Sequence, residues 1–160
     1  MKTYVVMLKY KKIALVDDDM DDRQIFKEIL LEIDPDAIVE CAENGLEMVA
    51  MLNKKPDDQL PEMIILDQNM PRMTGKESLI FLKESSRFKA IPVIIYSTYQ
   101  IKDFYTECLG LGAQNVVSKP DSLQAYREMI EQLLVAQQPP TTSIPPPSPS
   151  SEAHIHLPKP

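Results

Sequence analysis

The sequence predicts an α/β fold, a doubly wound parallel sheet with helices between its strands. Five short apolar runs rich in β-branched residues alternate with five segments in which apolar residues recur at helical spacing, and this alternation is typical of consecutive βαβ units. Chain-breaking pairs such as Asn44-Gly45 and Thr74-Gly75 separate the runs from the helical segments, as turns require. Strands are predicted at residues 12–17, 37–41, 63–67, 92–97 and 114–118.

The segments between the strands are predicted to be helical because their apolar residues repeat every three or four positions. The predicted apolar faces are Ile25, Phe26, Ile29, Leu30 and Ile33 after the first strand, Ile101, Phe104, Tyr105 and Cys108 after the fourth, and Leu123, Tyr126, Ile130, Leu133 and Leu134 after the fifth. We expect these faces to pack in the core and assign them no chemical role.

One domain accounts for the length and composition of the chain. The 160 residues are 44% hydrophobic, which suffices for one buried core but not comfortably for two. We place a domain at 12–138, after an N-terminal extension at 1–11 and before a tail at 139–160. The tail holds eight prolines in 22 residues and is predicted to be disordered. Met7 is a second candidate for the natural start of the chain.

The charge of the chain disfavours several classes of partner. The net charge is −7, and residues 13–138 alone carry −11, so this acidic body repels nucleic acid and anionic membranes. No apolar run approaches the roughly 18 residues that a membrane span requires, and no signal-peptide core is present. Cys41 and Cys108 form neither a disulfide framework nor a metal-ligand pattern. We expect a cytoplasmic protein that binds neither nucleic acid nor membrane.

Polar side chains that could take part in catalysis or binding lie where four of the predicted strands end. They are Asp17-Asp18, Asp67, Ser97 and Lys119, and the last two follow Asp67 by 30 and 52 residues. In an open parallel sheet the carboxyl ends of the strands lie along one edge, and ligands bind in the crevice outside them. We therefore expect these side chains to form one site.

Three carboxylates in one place favour a cation site. Asp17, Asp18 and Asp67 would repel one another unless a proton or a cation compensated their charge. Mg²⁺ suits the set because it takes oxygen ligands, keeps several waters and binds through one or two carboxylates plus a phosphate oxygen. The backbone carbonyl of Asn69 is a further candidate ligand.

The same residues fit the requirements of phosphoryl transfer. Asp67 can act as a nucleophile that forms an acyl phosphate, while Lys119 and Ser97 can stabilise the charge on the phosphoryl oxygens. Taken singly, the residues have plainer explanations, since Asp19 or Asp21 could cap the first helix and Asp67 could belong to a turn. Their joint arrangement favours the functional interpretation.

Four segments carry a resemblance to one family: LVDDD at 15–19, ILDQNMPRMTG at 65–75, PVIIYS at 92–97 and VSKP at 117–120. They are similar to the acidic-pair strand, the phosphoacceptor loop, the hydroxyl strand and the lysine strand of the receiver domains of bacterial two-component response regulators. Within that family, the resemblance is to the single-domain group typified by the chemotaxis regulator. The resemblance covers about residues 12–137 and implies a (βα)5 fold of the flavodoxin-like class with strand order 2-1-3-4-5.

The resemblance also implies a function. A sensor histidine kinase or a phosphotransfer protein would donate its phosphoryl group to Asp67, with Mg²⁺ as cofactor. Such a signalling phosphoacceptor is not an enzyme on other substrates and catalyses only its own phosphorylation and dephosphorylation. Because nothing after Gln138 is expected to fold, we predict a stand-alone receiver. As a monomer or a phosphorylation-dependent dimer, it would bind an unidentified protein target through the fourth and fifth helices and the fifth strand.

Several positions modify these expectations. Ser97 and Val116 occupy the two switch positions of the family. At the position of Val116, family members often carry an aromatic residue. Asn69 and Tyr99 occupy the two positions that tune dephosphorylation, and Thr98 is larger than the family's usual residue. The resemblance further implies a cis Lys119-Pro120 peptide.

Two other functions remain open at this point. A pseudo-receiver would keep the fold as a constitutive binding module, although the five intact site residues argue against it. A hydrolase of small phosphoesters would also use an aspartate at a strand end. That class usually carries a second acid two residues after the nucleophile, where this chain has Asn69.

Overall fold

Strands and helices alternate along the chain in the computed structural model, which describes residues 8–98 and 102–135. The strands are β1 (Lys12–Val16), β2 (Ile38–Ala42), β3 (Met63–Asp67), β4 (Val93–Ser97) and β5 (Asn115–Ser118). The helices are α1 (Met20–Ile33), α2 (Gly45–Asn53), α3 (Gly75–Glu84), α4 (Lys102–Gly110) and α5 (Leu123–Leu134), with a short 3-10 turn at Asp57–Gln59.

The five strands form one parallel sheet in the order β2-β1-β3-β4-β5. This order confirms the predicted doubly wound fold. β1 and β3 are neighbours at the point where the strand order reverses, with Val16 opposite Leu66. Their carboxyl ends therefore open into the crevice that parallel α/β sheets use for ligands.

Helices cover both faces of the sheet, and alternate residues of each strand point into one of two apolar layers. The α1–α5 layer contains Leu15, Ile65 and Tyr96 from the strands and Phe26, Leu30, Tyr126 and Ile130 from the helices. The α2–α4 layer contains Val16, Leu66 and Ile95 from the strands and Met48, Leu52, Leu79, Leu82 and Cys108 from the helices. Burial of one large apolar side chain contributes about 1.5–3 kcal/mol, so these layers hold the strand ends in fixed positions.

The start of α1 is fixed by a capping aspartate. The Asp19 carboxylate accepts hydrogen bonds from the backbone N–H groups of Asp21 (2.8 Å) and Asp22 (3.2 Å), which satisfies two donors that a helix otherwise leaves free. Of the two caps considered from sequence, Asp19 is thus the correct one. The cap orients the first turn of α1 beside the carboxyl ends of the strands.

Within the loop between β3 and α3, the backbone at Gly75 lies unusually close to the backbone of Asp67 and Gln68. A Cβ added to Gly75 would lie 2.5 Å from the carbonyl oxygen of Asp67 and 2.9 Å from the Cα of Gln68. Earlier in the same loop, Arg72 has a φ of 67°, a conformation uncommon for residues other than glycine. Because Gly75 has no side chain, α3 can begin in contact with the backbone of Asp67.

A few predicted details differ from the structure. β1 ends at Val16 rather than Asp17, although the Asp17 N–H still donates to the Ala42 carbonyl at 3.0 Å. β2 is shifted by one residue to Ile38–Ala42, and β4 and β5 each begin one residue later than predicted. Each bound differs by one residue, because a single hydrogen bond decides where a strand is assigned to begin or end.

The expected cis peptide at Lys119-Pro120 is wrong, since no cis peptide bond occurs in the described residues. The trans form is the lower in free energy for most X-Pro bonds. The expectations for Tyr99, Ile101 and Met7, and for the tail at 139–160, concern residues outside the described ranges.

The described part of the predicted N-terminal extension packs on the domain. Leu8 is buried in the α1–α5 layer, and it forms an antiparallel bridge with Val135. The N–H of Lys9 donates to the carbonyl of Leu134 at 2.7 Å. Residues 8–11 therefore cover the end of the core that lies near the end of α5.

We predict that Gly75→Ala lowers the free energy of unfolding by about 1–3 kcal/mol, because the added methyl group must displace backbone atoms. Urea denaturation measures the change. Gly110→Ala is the matched control, since no atom lies within 4 Å of its Cβ position, and it should be neutral or stabilising by up to about 1 kcal/mol. An equal loss in both variants would show that the approach at Gly75 is not the cause.

Candidate functional site

The centre of the candidate site is a pair of buried carboxylates on neighbouring strands. Asp17 directly follows β1 and Asp67 ends β3, and both strands are covered by helices on both faces. The two residues are 0% and 2% exposed. Burial of two like charges is unfavourable unless cations or donors compensate it, so the neighbours of this pair decide what the site can do.

A third carboxylate completes a set that suits a metal ion. Asp17, Asp18 and Asp67 can each offer a carboxylate oxygen, and these three oxygens lie within 4.8 Å of one another. Asp18 is exposed, so the set opens to solvent. Hard carboxylate oxygens at this spacing fit a divalent cation such as Mg²⁺, whose remaining ligands are usually waters or phosphate oxygens.

Lys119 supplies positive charge to the buried pair. Its Nζ lies 3.1 Å from Asp17 Oδ2, 3.3 Å from Asp67 Oδ2 and 2.8 Å from Asp22 Oδ2. The lysine reaches this position because β5 pairs with β4, and its own N–H donates to the Ser97 carbonyl at 2.9 Å. The sequence-predicted meeting of Asp17, Asp67 and Lys119 is therefore found in the structure.

Ser97 lies at the same edge of the sheet. It ends β4 and is 2% exposed. The preceding residue, Tyr96, is the register partner of Asp67, and Ser97 itself pairs with Ser118 in β5. Ser97 therefore lies between β3, which ends in Asp67, and β5, which Lys119 follows, as its spacing in the sequence predicts.

Asn69 connects the two loops that border the site. Its backbone N–H donates to Asp67 Oδ1 at 3.2 Å, and its side-chain amide donates to the Thr98 hydroxyl at 3.0 Å. Asn69 and Thr98 are both exposed, so this hydrogen bond crosses the mouth of the site. It holds the loop after β3 against the end of β4.

Val116 lies away from these charges. It is half-buried in β5, where it pairs with Ile95 and packs against the α2–α4 layer. The described neighbours of this position are thus apolar, which suits valine. The switch role assigned to Val116 and Ser97 by the resemblance stays a prediction.

The electrostatics of the site follow from burial. Burial, and next the charge of Asp17, raise the pKa of the Asp67 carboxyl to about 6, while Lys119 opposes the shift. Burial by itself would lower the pKa of Lys119, but the hydrogen bond to Asp22 and the charges of Asp17 and Asp67 raise it overall. Lys119 therefore stays protonated at neutral pH, and Asp67 is largely ionised there.

Two residues of the site were not found from sequence. The buried Tyr96 hydroxyl donates to Asp17 Oδ2, and burial together with the Asp17 charge raises the pKa of Tyr96. Asp22, in the first turn of α1, forms the shortest of the three Lys119 ion pairs. Tyr96 is an aromatic residue within an apolar strand, which is typical of a core residue. Asp22 is an acid in the first turn of a helix, where it interacts favourably with the helix dipole. The sequence therefore provided no reason to assign either residue to the site.

Comparison with known proteins assigns the chain to a family. The family model described as "Response regulator receiver domain" matches residues 13–131. The chain belongs to the response regulator receiver domain family. A curated relative, the chemotaxis protein CheY1 of Helicobacter pylori, is 32% identical over 123 residues, which are 77% of this chain and 96% of CheY1.

Solved structures of receivers agree with this assignment. The crystal structure of the phosphorylated cyanobacterial phytochrome response regulator RcpA has a TM-score of 0.68 at 28% identity, over 76% of this chain and 92% of RcpA. The Mn(2+)-bound form of response regulator Rcp1 has a TM-score of 0.66 at 26% identity, over 76% and 93% of the two chains. Receiver domains are signalling phosphoacceptors of two-component systems and are in general not enzymes.

No described helix of this receiver combines the length and the apolar character needed to cross a bilayer.

The raised pKa of Asp67 predicts a pH-dependent stability in the presence of a metal chelator. At about pH 4 the carboxyl is mostly protonated when folded, whereas above about pH 6 it carries a charge that burial disfavours, so its contribution becomes unfavourable as pH rises. Asp67→Asn should therefore raise the free energy of unfolding at about pH 8 by ~1–2 kcal/mol after allowance for solvent screening. The gain should fall away towards about pH 4.

Urea denaturation at the two pH values measures this effect. Asp58→Asn, at an exposed position of the 3-10 turn, is the control and should show no such difference between the two pH values. A gain for Asp67→Asn that is equal at both pH values would contradict the electrostatic explanation.

Proposed function

We propose that this receiver accepts a phosphoryl group on Asp67 from the phosphohistidine of a sensor histidine kinase or a phosphotransfer protein, in the presence of Mg²⁺. The observation that carries the proposal is the convergence of three carboxylates and one lysine at a single strand edge. Asp67 lies at its centre, with the Lys119 ammonium 3.3 Å away. A pseudo-receiver would have no need for this combination of charges.

The proposed reaction is a displacement at phosphorus. One Asp67 carboxylate oxygen forms a bond to phosphorus while the phosphorus–nitrogen bond of the phosphohistidine breaks. The electron pair of the broken bond stays on the imidazole nitrogen. Since the Asp67 carboxylate is largely ionised at neutral pH, it carries the lone pair that this attack requires.

The surrounding residues stabilise the charge that develops. Lys119 donates hydrogen bonds to a phosphoryl oxygen, and Ser97 donates its hydroxyl to another. The carboxylates of Asp17, Asp18 and Asp67 and the backbone carbonyl of Asn69 would hold the cation. A bound Mg²⁺ would supply positive charge that stabilises the phosphoryl group.

The related structures support this assignment. RcpA is described in its phosphorylated form and Rcp1 in its Mn(2+)-bound form, and both share this fold over more than nine tenths of their own length. The sequence argues against the phosphoester-hydrolase alternative, because that class usually carries an acid two residues after the nucleophile and this chain has Asn69 there.

Intact-mass spectrometry after incubation with acetyl phosphate and Mg²⁺ tests the proposal. We expect the parent protein to gain one phosphoryl group and Asp67→Asn to gain none. Asp57→Asn is a matched control, because this exposed aspartate pairs with Arg87 outside the site, and it should gain the group like the parent. A folded parent protein that stays unmodified would favour the pseudo-receiver.

We further propose that the output is a protein contact made by α4, β5 and α5. Tyr105 on α4 is 44% exposed, and β5 is an edge strand that pairs only with β4 among the described strands. A protein partner can use such a surface, whereas the net charge of −7 does not suit a nucleic-acid contact.

Phosphorylation should change amide hydrogen exchange at this surface. We expect altered protection in α4 and β5, because Lys119 directly follows β5 and its ammonium must turn towards the phosphoryl group. The measurement compares the parent with and without acetyl phosphate, and Asp67→Asn under both conditions. A change confined to the loop after β3, with α4 and β5 unaffected, would oppose this output surface.

A further inference from the structure

The first turn of α3 is held by the residue that follows Asp67. Gln68 is half-buried, and its side-chain carbonyl oxygen Oε1 accepts the N–H of Lys76 at 2.9 Å. Its backbone carbonyl accepts the N–H of Gly75 at 3.2 Å. Both donors lie in the first turn of α3, where a helix provides no partners of its own for the backbone N–H groups. Gln68 therefore caps α3 although it lies outside the helix.

The other N–H groups at this end of α3 have partners in a capping box. The N–H of Glu77 donates to the Thr74 hydroxyl at 3.2 Å, and the N–H of Thr74 donates to the Glu77 carboxylate at 2.8 Å. The capping box thus satisfies two of the four N–H groups, and Gln68 satisfies the other two. The position of α3 relative to Asp67 therefore depends directly on Gln68.

The same residue closes the loop that borders the candidate cation site. The loop leaves the sheet at Gln68, whose N–H donates to the Tyr96 carbonyl at 3.0 Å. It returns to Gln68 through the hydrogen bonds from Gly75 and Lys76. Asn69 lies at the start of this loop, and its backbone carbonyl is a candidate ligand of the cation. Gln68 thus holds both ends of the segment that carries this carbonyl.

The backbone carbonyl of Gln68 also orients the candidate ligand directly. It accepts the N–H of Met70 at 3.2 Å, in addition to the N–H of Gly75. The N–H of Met70 and the carbonyl of Asn69 belong to one planar trans peptide group, in which they point in opposite directions. The hydrogen bond to Gln68 therefore sets the direction of the Asn69 carbonyl.

A fixed carbonyl direction matters for Mg²⁺. This ion demands near-ideal octahedral geometry with ligands at about 2.0–2.1 Å, and groups that orient a ligand without touching the metal change its affinity. We propose that Gln68 is a positioning residue, whose side-chain carbonyl holds the start of α3 against the loop after Asp67 and so keeps the Asn69 carbonyl oriented for Mg²⁺. The inference rests on the cation site of the proposed function.

Gln68→Met isolates the side-chain carbonyl. Methionine has the same unbranched reach but is only a weak acceptor, and the backbone carbonyl of residue 68 remains. Ser85→Ala is the matched control, because the Ser85 hydroxyl accepts the N–H groups of Arg87 and Phe88 at 3.3 Å each. Ser85 follows the other end of α3, a helix of 10 residues that is about 15 Å long.

Isothermal titration of the unphosphorylated full-length protein with Mg²⁺ tests the proposal. In Gln68→Met we expect the Mg²⁺ dissociation constant to rise at least about five-fold, because the Asn69 carbonyl is no longer held in one direction. Ser85→Ala should leave the constant within about two-fold of the parent value, even where its thermal stability falls. A constant unchanged in Gln68→Met, or raised equally in both variants, would overturn the proposal.

A second measurement needs no variant that could misfold. Coupling between two equilibria is reciprocal, so Mg²⁺ must strengthen the bond from Lys76 to Gln68 if that bond strengthens Mg²⁺ binding. In the parent protein, saturation with Mg²⁺ should slow the amide exchange of Lys76 more than that of Arg87, whose N–H is held by Ser85. Equal slowing of the two amides, or none at Lys76, would contradict the role of Gln68.

Failure of the proposed function is separately visible. A parent protein that binds no Mg²⁺ refutes the cation site and with it the role of Gln68. A parent that binds Mg²⁺ and is phosphorylated by acetyl phosphate, but whose Mg²⁺ affinity is the same in Gln68→Met, refutes only the role of Gln68.

Discussion

The electrostatic cost of holding Asp17 and Asp67 side by side is the constraint on which the rest of the site depends. Both carboxylates are buried at adjacent strand ends, where water cannot screen their repulsion. Burial first, and then the charge of Asp17, raise the pKa of Asp67 to about 6. The Lys119 ammonium, the Tyr96 hydroxyl and the backbone N–H groups of Asp19 and Asn69 reduce this cost, because they donate hydrogen bonds to the two carboxylates.

One ammonium group serves three carboxylates in this arrangement. Lys119 contacts Asp17, Asp22 and Asp67 within 3.3 Å. A phosphoryl group on Asp67 would compete with Asp17 and Asp22 for the same donor. The ion pairs of Lys119 thus link the end of β5 to the start of α1, which the Asp19 cap sets, so the proposed phosphorylation of Asp67 would affect both elements.

Rigid elements place the reactive groups, while the loops adjust them. The apolar layers fix β1, β3 and β4, so the positions of Asp17, Asp67 and Ser97 follow from strand register. Gly75 allows α3 to begin against the backbone of Asp67, and the Asn69–Thr98 hydrogen bond ties two bordering loops together. Side chains on strands are held more precisely than loop residues, which suits the proposed role of Asp67 as a phosphoacceptor.

Local patterns predicted much of this structure. The periodicity of the apolar runs located all five strands to within a residue, and the strand-end placement of Asp67 and Lys119 predicted that they meet. The cis peptide at Lys119-Pro120, which only the resemblance implied, is not found in the described residues; the local sequence does not specify the isomer of an X-Pro bond. Tyr96 and Asp22 were missed because their types are ordinary in a core strand and in a first helical turn.

The sequence by itself determined the order of elements, the apolar faces of several helices and the set of chemically capable side chains, since these depend on period and position along the chain. Only the tertiary structure decided which donor each carboxylate receives. The contacts of Asp17 with Tyr96 and Lys119 join residues 79 and 102 positions away. Such pairings depend on strand order and helix packing, because neither partner carries a local signal for the other.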